Sequence, residues 1–488
     1  MPGEYSRLLL LAQGATGRPR GELEQALEAS RVAVSVDPDM PTALLTARVL
    51  LTTMRRGPGE LVLERDGLPS SAADQLEAAT AAIDPGRPLV ITNRAGSACT
   101  ARVHVGTGDL RAIRIAPEGY GAHIVNLSTA VIRPRRPGNA IGAVYTGALG
   151  AAEAFKRTAC VRPSRRVFHR HLRFCPVTLT SDLKTAPDLP AGMNLDLALL
   201  GVGAVGTGIV LLLDAMNATG RLLAVDRERF GPENHGTYSL GGMAETLATP
   251  WKTDIAQAAL GRFDVTSFRG PVEQLPAAVD SGDIPWFRTV LTALDSSNAR
   301  RDAQRLWPDR LIDAGTGDTM LGIHDHQYGL GPCLICFFPP EQSGLSAARR
   351  IADRTGLPAQ RAIRGDEPLT EEDLAGLTEV QQQLLRPQLG KPVCGLAQAI
   401  GLTQLDAAGF RPSISFVSLQ AACLSVGRLI GTRLGVSPAA NLVQYDGLFG
   451  PQTATADRMD RKPGCYCQTR AETIKLVRQM RARFELEA

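Results

Sequence analysis

The spacing of apolar residues changes along the chain. From residue 1 to about 85 the apolar positions recur at helical spacing, as in 21–28, which predicts helices. From Pro88 short apolar runs typical of strands take over, followed by an apolar helix predicted over 142–157. A stretch rich in proline and arginine, 161–190, comes next. We therefore predict a separate N-terminal α+β domain over residues 1–190.

From residue 191 predicted strands and helices alternate. The strands are predicted at 195–200, 222–226, 263–268, 289–294 and 311–315. This alternation is typical of an α/β, Rossmann-like, doubly wound sheet, whose ligands bind at the C-terminal ends of the strands. Residues 341–408 are polar and predicted to be helical, and they interrupt the alternation of strands and helices. They are interpreted as an insertion over the site. The predicted second domain is thus 191–488, and the sequence shows no internal repeat.

Composition narrows the function classes. The chain has 488 residues, of which 44% are hydrophobic and 21% charged, with a net charge of +4. The small charge, without a block of basic and aromatic residues, predicts no nucleic-acid partner. The sequence has no signal-peptide pattern and no apolar run near the ~18–20 residues that span a bilayer. We therefore expect a cytoplasmic protein without a membrane partner, whose nine cysteines are reduced or bind metal.

A glycine-rich loop lies between the first two predicted strands of the second domain. Gly201, Gly203 and Gly206 follow the strand at 195–200, and Asp226 ends the next strand. Such glycines allow a tight turn and a close approach of phosphate to a helix N-terminus, while the acid can bind ribose hydroxyls. This pattern predicts a nucleotide site, but a dehydrogenase would share it.

The residues after Asp226 favour ATP. Asn234 and Lys252 follow it, and Asp295 ends a later strand with Arg300 five residues beyond. A carboxylate beside phosphates is a natural Mg²⁺ ligand. Lysine and arginine neutralise a triphosphate, and asparagine can form a hydrogen bond with it. Together these residues predict a site for ATP and Mg²⁺.

Two pairs of closely spaced cysteines form a second constellation. Cys333 and Cys336 are separated by two residues, and Cys465 and Cys467 by one. Two such pairs can close a tetrahedral Zn²⁺ site. Because four thiolates would fill every position, we predict a structural zinc site.

The region from about 190 to 470 resembles the ThiF/MoeB-type superfamily of ubiquitin-like-protein activating enzymes, including sulfur-carrier-protein adenylyltransferases. The resemblance rests on the loop 201–206, Asp226, Asn234, Lys252, Asp295 with Arg300, and the cysteine pairs. It implies adenylation by ATP·Mg²⁺ of the C-terminal carboxylate of a small ubiquitin-like or sulfur-carrier protein, and a homodimer. It also implies that Asp226 holds the ribose, Asn234 and Lys252 hold phosphates, and Asp295 holds Mg²⁺.

The chain departs from the family pattern in two places. The family usually has an arginine three residues after the asparagine, where this chain has Thr237. Either another arginine replaces it, such as Arg300, Arg301 or one from a partner subunit, or adenylation is weak or lost. The second cysteine pair also has one intervening residue where the family usually has two.

Several family members transfer the acyl group to a cysteine, and Cys394 is the candidate here. It lies in the insertion, close to Lys391 and at the start of a predicted helix over 395–403. A cation or a helix N-terminus lowers a thiol pKa and favours the nucleophilic thiolate. The alternative is that Cys394 packs as a small apolar residue.

Four functions are compatible with parts of this pattern. The first is ATP-dependent activation of a ubiquitin-like or sulfur-carrier protein, with 1–190 as a degenerate adenylation-like or recognition domain. The second is adenylation of a peptide or small-molecule carboxylate in a biosynthetic pathway. The third is an inactive scaffold, suggested by Thr237. An NAD-dependent oxidoreductase accounts for 201–226 but leaves the cysteine pairs and the Asp295–Arg300 pair without a purpose.

Overall fold

The computed structural model describes residues 6–96, 98–108, 112–126, 132–159, 171–339, 352, 355–358, 361, 368–390 and 414–485. These residues belong to two compact units. The larger unit contains the described residues up to 338 and from 414 onward, and the smaller one those from 339 to 390. Within the described ranges, no helix combines the length and the apolar character needed to cross a bilayer.

The first part of the larger unit is built on a seven-stranded sheet in the order β3-β2-β1-β4-β5-β6-β7. The strands from β3 to β5 are parallel, whereas β6 and β7 are antiparallel to their neighbours. The elements are α1 (Ser6–Thr16), α2 (Arg20–Glu28), β1 (Arg31–Val36), α3 (Ala43–Arg55), β2 (Glu60–Glu64), α4 (Ser70–Ile83), β3 (Val90–Thr92), β4 (Ala101–Val105), β5 (Ile113–Glu118), β6 (Gly121–Asn126), α5 (Ala140–Thr158) and β7 (His171–Phe174).

Strands β1 and β2 correct the prediction that residues 1–85 are helical throughout. Residues 32–34 of β1 and 61–63 of β2 are buried, because both strands lie inside the sheet. Val32 and Val34 in β1 are β-branched, which suits a pleated and buried surface. Only the neighbouring segments α1 to α4 are helical, as predicted.

The second part of the larger unit is built on an eight-stranded sheet in the order β10-β9-β8-β11-β12-β13-β14-β15. Its elements are β8 (Leu197–Leu200), α6 (Ala204–Ala215), β9 (Gly220–Val225), α7 (Pro232–His235), α8 (Met243–Ala248), α9 (Lys252–Ala259), β10 (Phe263–Phe268), α10 (Leu275–Asp280), β11 (Thr289–Thr292), α11 (Ser297–Gln304), β12 (Arg310–Gly317), β13 (Met320–Gln327) and α12 (Leu334–Phe337). They continue with α14 (Ser415–Arg433), β14 (Leu442–Asp446), β15 (Thr455–Asp457), α15 (Tyr466–Thr469) and α16 (Ala471–Glu485). This sheet confirms the predicted Rossmann-like α/β class.

The two sheets share one topology. Counted from the first strand of each, both have the order third, second, first, fourth, fifth, sixth, seventh. In both, the first five strands in sequence are parallel and the next two antiparallel, and β15 adds one further strand to the second sheet. The larger unit thus contains a structural duplication that the sequence does not reveal.

The two halves meet in one continuous core. The long helices α5 and α14 are almost entirely buried, and the rings of Phe155 and Phe416 lie 5.4 Å apart. The hydroxyl groups of Tyr145 and Tyr445 form a buried hydrogen bond of 2.9 Å. The predicted domain boundary at residue 190 falls between β7 and β8, although the apolar core extends across it. That residues 1–190 form a separate domain therefore stays a prediction.

The described residues of the smaller unit include α13 (Glu379–Leu385) and a 3₁₀ turn at Glu372–Leu374. The Thr378 hydroxyl caps α13 by accepting from the backbone N–H of Gln381 at 3.4 Å. Arg361 donates to both oxygens of Asp373, at 2.7 and 2.9 Å. The placement of the predicted insertion 341–408 over the site stays a prediction.

Candidate functional site

The glycine-rich loop connects β8 to α6. Gly201 has φ of +92°, and a Cβ at this position would lie 2.6 Å from the Ala293 carbonyl oxygen, at the end of neighbouring β11. A Cβ on Gly206 would lie 2.1 Å from the Gly201 carbonyl oxygen. At both positions a side chain would collide with backbone, so these glycines are required by the fold itself. A Cβ on Gly203 would instead meet its nearest atom, the Tyr238 hydroxyl oxygen, at 3.7 Å.

This difference predicts two phenotypes for the same substitution. Gly206→Ala should lower the melting temperature, because the new methyl collides with the Gly201 carbonyl, which cannot move without distorting the loop. Gly203→Ala should leave the melting temperature unchanged, because Gly203 has an ordinary φ of −84° and its Cβ would meet the Tyr238 hydroxyl oxygen only at an ordinary contact distance. It should weaken ATP binding, because the new methyl group lies at the N-terminus of α6, where the phosphates are predicted to bind. Thermal denaturation measures the loss of stability, and titration calorimetry with ATP measures the loss of affinity. Equal destabilisation by both substitutions would contradict this assignment.

Asp226 follows β9 and is held by the loop that it faces. Its Oδ2 accepts from the backbone N–H of Val202 at 2.8 Å, and its Oδ1 accepts from that of Glu228 at 2.9 Å. Burial raises the pKa of Asp226, while Lys252 and the two N–H groups act in the opposite direction. The strand-tip acid and the glycine loop are therefore joined directly, and ribose binding by Asp226 stays a prediction.

Lys252 is the first residue of α9 and is only 3% exposed. Its Nζ lies 2.5 Å from Oε2 of Glu228 and 5.3 Å from the ring centre of Tyr238. Burial would lower the pKa of Lys252, but Tyr238, Asp226 and Glu228 together raise it. The structure therefore keeps a positive charge beside Asp226, at a depth where an ammonium needs a nearby anion.

Tyr238 is a site residue that the sequence interpretation missed. Its ring is buried and packs edge-to-face on Phe230, with the ring centres 5.4 Å apart. Its hydroxyl group is the nearest atom to the Cβ position of Gly203. The one feature of the sequence that could have indicated Tyr238 is its position directly after Thr237, where the chain departs from the family pattern.

Asn234 and Thr237 lie on the segment before Tyr238, and both side chains are engaged within it. The Asn234 Oδ1 accepts from the backbone N–H of Gly231 at 2.9 Å, as part of the cap of α7. The Thr237 hydroxyl donates to the Asn234 carbonyl at 3.3 Å. Phosphate binding by Asn234 stays a prediction.

Arg56, in the first half of the larger unit, reaches one carbonyl within this segment and one just after it. Its guanidinium donates to the carbonyl oxygens of His235 and, at 2.9 Å, of Gly241. The His235 Nε2 lies 2.7 Å from the carbonyl oxygen of Ile83, so the same segment contacts α4 as well. Burial lowers the pKa of Arg56 to about 9, and the nearby Glu245 acts in the opposite direction. The wall of the site is thus held by residues more than 150 positions away.

We expect Arg56→Ala to weaken ATP binding although Arg56 is not expected to touch the nucleotide. The substitution leaves the buried His235 carbonyl without its donor, which costs about 1–3 kcal/mol, and the partly buried Gly241 carbonyl as well. It also frees the segment that carries Asn234 and Tyr238. Arg48→Ala, an exposed arginine on the neighbouring helix α3, is the matched control. Melting temperature and ATP affinity should both fall for Arg56→Ala alone. An unchanged affinity would show that the contact is merely structural.

Asp295 lies just before α11, and Arg300 lies within that helix. Asp295 is exposed, and its loop packs on the glycine loop through the Ala293 carbonyl described above. The Arg300 Nε donates to the buried Asp313 at 3.1 Å, and its Nη2 donates to the Leu294 carbonyl at 2.7 Å. Burial alone would raise the pKa of Asp313, but its partners lower it, and Arg300 contributes most to that lowering. In this structure Arg300 supports the loop that carries Asp295, and its phosphate contact stays a prediction.

The four paired cysteines converge. The Sγ of Cys333 lies 3.8 Å from that of Cys336 and 3.6 Å from that of Cys465, and the Sγ atoms of Cys336 and Cys467 are 3.7 Å apart. All four Sγ atoms lie within 4.8 Å of one another. A tetrahedron with Zn–S bonds of about 2.3 Å has S···S edges of about 3.8 Å. The thiol geometry therefore fits a Zn²⁺ ion, including the pair with only one intervening residue.

Aromatic and apolar groups surround this cysteine cluster. Trp307 and Ile474 are buried against it, and the Trp307 ring stacks on Tyr466 with the ring planes 18° apart. The cluster thereby connects α12 and the segment after α11 to the C-terminal helix α16. Among the described residues it is the one group of metal-binding side chains brought together in this way.

Cys394, the predicted thioester cysteine, lies outside the described residues. Cys423 is fully buried in α14, and burial raises the pKa of its thiol, so it packs as an apolar residue.

The first half of the larger unit lacks the features that build the site in the second. The loop 37–42, which follows β1 as the glycine loop follows β8, contains no glycine. Glu64 ends β2 as Asp226 follows β9, but its Oε1 accepts from Arg102 at 2.6 Å and from the backbone N–H of Ala95 at 2.8 Å. The strand-tip acid of this half is therefore engaged in the fold.

No family model and no curated protein matches the chain. A crystal structure of PaaA matches over 52% of this chain and 69% of PaaA, with 14% identity and a TM-score of 0.31. A crystal structure of MccB from E. coli matches over 72% of this chain and 94% of MccB, with 13% identity and a TM-score of 0.34. A crystal structure of E. coli MccB with AMPCPP and MccA matches over 72% of this chain and 96% of MccB, with 13% identity and a TM-score of 0.33. These similarities are too distant to support a functional assignment. The proposed function therefore rests on the residues of this chain.

Proposed function

We propose that the protein is an ATP-dependent adenylating enzyme that activates a carboxylate, with the C-terminus of a small ubiquitin-like or sulfur-carrier protein as the first candidate. A peptide or small-molecule carboxylate is the alternative acceptor. One observation carries the proposal, namely a buried lysine charge beside the glycine loop and the strand-tip acid. Dinucleotide sites place a pyrophosphate on a helix N-terminus, whereas a triphosphate brings additional negative charge that Lys252 would neutralise.

The reaction requires little acid–base chemistry from the protein. A carboxylate oxygen of the acceptor attacks the α-phosphorus of ATP, and the bond to the bridging oxygen of the β-phosphate breaks. Pyrophosphate leaves with that electron pair, and an acyl adenylate remains. The residues of the chain therefore act by positioning and charge stabilisation, in which fixed cations and N–H donors have large effects.

Three of the predicted site residues have a defined role in this scheme. Asp226 holds the ribose, Lys252 binds the phosphates, and the N–H groups at the start of α6 face the phosphate chain. Asp295 supplies an exposed carboxylate, which suits the oxygen-liganded Mg²⁺. When bound, Mg²⁺ would neutralise phosphate charge as pyrophosphate departs.

Two further roles belong to the proposal. Cys394 would receive the acyl group as a thioester, releasing AMP, and non-reducing gels of wild type and Cys394→Ala test this step. The first half of the larger unit would act as a degenerate copy of the adenylation domain. Its identical strand order, its loop without glycine and the engaged Glu64 support that assignment. The duplicated fold would then supply within one chain the pairing that the family resemblance predicts as a homodimer.

The decisive experiment is ATP–pyrophosphate exchange by the full chain, with and without a candidate acceptor protein or peptide. Exchange that depends on the acceptor and disappears in Asp295→Ala is expected. Asp264→Ala, which removes an exposed carboxylate on β10, serves as the matched control and should retain exchange. ATP binding without exchange for any acceptor would favour the inactive-scaffold function, and absence of ATP binding would refute the proposal.

A further inference from the structure

We propose that the Tyr238 hydroxyl group donates a hydrogen bond to the phosphates of the bound nucleotide, in the role that the family pattern gives to an arginine at position 237. This inference rests on the proposed function and specifies how its nucleotide site works. It concerns a residue that neither the motif nor the family resemblance points to.

The position of the hydroxyl group is the first support. It is the nearest atom to the Cβ direction of Gly203, 3.7 Å from where that Cβ would lie. Gly203 is the N-cap residue of α6, the helix whose first N–H groups face the predicted phosphates. The Lys252 Nζ lies 5.3 Å from the centre of the Tyr238 ring, so Tyr238 has the glycine loop near its hydroxyl group and the buried cation near its ring.

The hydroxyl group is also held in place and kept protonated. The Tyr238 ring belongs to a small apolar cluster with Phe230 and Ile255, against which Ala204 and Leu240 pack. A rigid ring leaves the hydroxyl oxygen little freedom to move. Burial, partly offset by Lys252, raises the pKa of Tyr238 to about 12. At neutral pH the group is therefore a hydrogen-bond donor, which phosphate oxygens require.

The other candidates for the missing arginine are engaged elsewhere. The Thr237 side chain is buried and bonds to Asn234, and the Arg300 guanidinium bonds to Asp313 and Leu294. Arg301 donates to the Phe338 carbonyl at 3.3 Å and to the Asn298 side chain. Within the described chain, Tyr238 is the donor that the structure already aims at the glycine loop.

The test is titration calorimetry of the full chain with MgATP, together with displacement of MgATP by adenosine, for wild type and Tyr238→Phe. The substitution removes only the hydroxyl group and keeps the ring on Phe230. We expect MgATP to bind about 10- to 100-fold more weakly, as for the loss of a hydrogen bond to a charged group. The inhibition constant of adenosine and the melting temperature should not change. Tyr120→Phe is the matched control, because the buried Tyr120 hydroxyl group has no hydrogen-bond partner among the described residues.

The outcomes separate this inference from the proposed function. Wild type that binds MgATP, with Tyr238→Phe binding it equally well, overturns the role of Tyr238 and leaves adenylation standing. Parallel losses of MgATP and adenosine binding with a lower melting temperature would show a merely structural role and also overturn it. Wild type that binds neither ligand would overturn both proposals.

Discussion

Lys252→Met is expected to reduce ATP–pyrophosphate exchange by about 10²–10³-fold, the size of effect seen when one fixed charge or donor is removed from a developing negative charge. Methionine keeps most of the apolar length of the side chain, so α9 should remain packed. The lost ammonium leaves the phosphates without their buried cation and Asp226 without its counter-charge. The measurement is the exchange rate at saturating acceptor, with ATP affinity determined in parallel.

Lys475→Ala is the control for this substitution, because Lys475 is an exposed lysine on α16, remote in sequence from the glycine loop. It should retain wild-type exchange. The side chain of Glu228 is half exposed and can return to solvent when Lys252 is replaced, and Asp226 keeps its two backbone N–H donors. We therefore expect only a small change in melting temperature. Retention of more than about one tenth of the exchange rate would show that the buried charge does not serve the triphosphate.

Removal of metal from the cysteine cluster is expected to have the largest effect on stability. We expect one zinc per chain by elemental analysis, and Cys465→Ser should abolish it. Structural zinc sites contribute directly to folding, and here the cluster connects α12 to α16 through Trp307 and Ile474. A loss of several kcal/mol corresponds to a fall in melting temperature on the order of 10 °C. Strong chelators should reproduce that fall in the wild-type protein.

Cys99→Ser is the matched control for the cysteine cluster. Cys99 lies in the first half, partly exposed, with its thiol donating to the Gly96 carbonyl at 3.6 Å. Its replacement should leave zinc content and melting temperature unchanged. Helix α16 keeps contacts that need no metal, since Arg478 donates to the Trp307 carbonyl at 2.8 Å. A wild-type protein purified without any bound metal, and indifferent to chelators, would contradict the zinc assignment.

The sequence predicts those parts of the site whose residues are close along the chain. The glycine loop, Asp226 and the two cysteine pairs are local patterns tied to turns and strand ends, and each lies where a pattern of this kind predicts. The contact between Asp226 and Val202 follows from the parallel pairing of β8 and β9, which the alternation of strands and helices already implies.

What the sequence did not predict depends on contacts between distant segments. β1 is a six-residue strand defined by its pairing with β2 and β4, and short apolar runs between helices do not distinguish strand from helix. Because β1 and β2 were not predicted, the duplication of the two sheets could not be recognised from the sequence. Arg56 is separated from His235 by 179 positions, and no local spacing links an arginine at the end of one helix to a carbonyl of a helix in the other half of the unit. Tyr238 is a single aromatic residue whose role depends on which atom its hydroxyl group faces.

The duplicated fold also determines what kind of kinetics the protein can show. A symmetric pair of identical subunits presents two equal sites, which can be coupled so that occupancy of one alters the other. In this chain only the second half has the glycine loop, because its counterpart at 37–42 contains no glycine and Glu64 is engaged by Arg102. Under the proposed function, we therefore expect one nucleotide site in each chain. Its saturation curve should be hyperbolic, with a stoichiometry of one nucleotide per polypeptide and no alternation between sites.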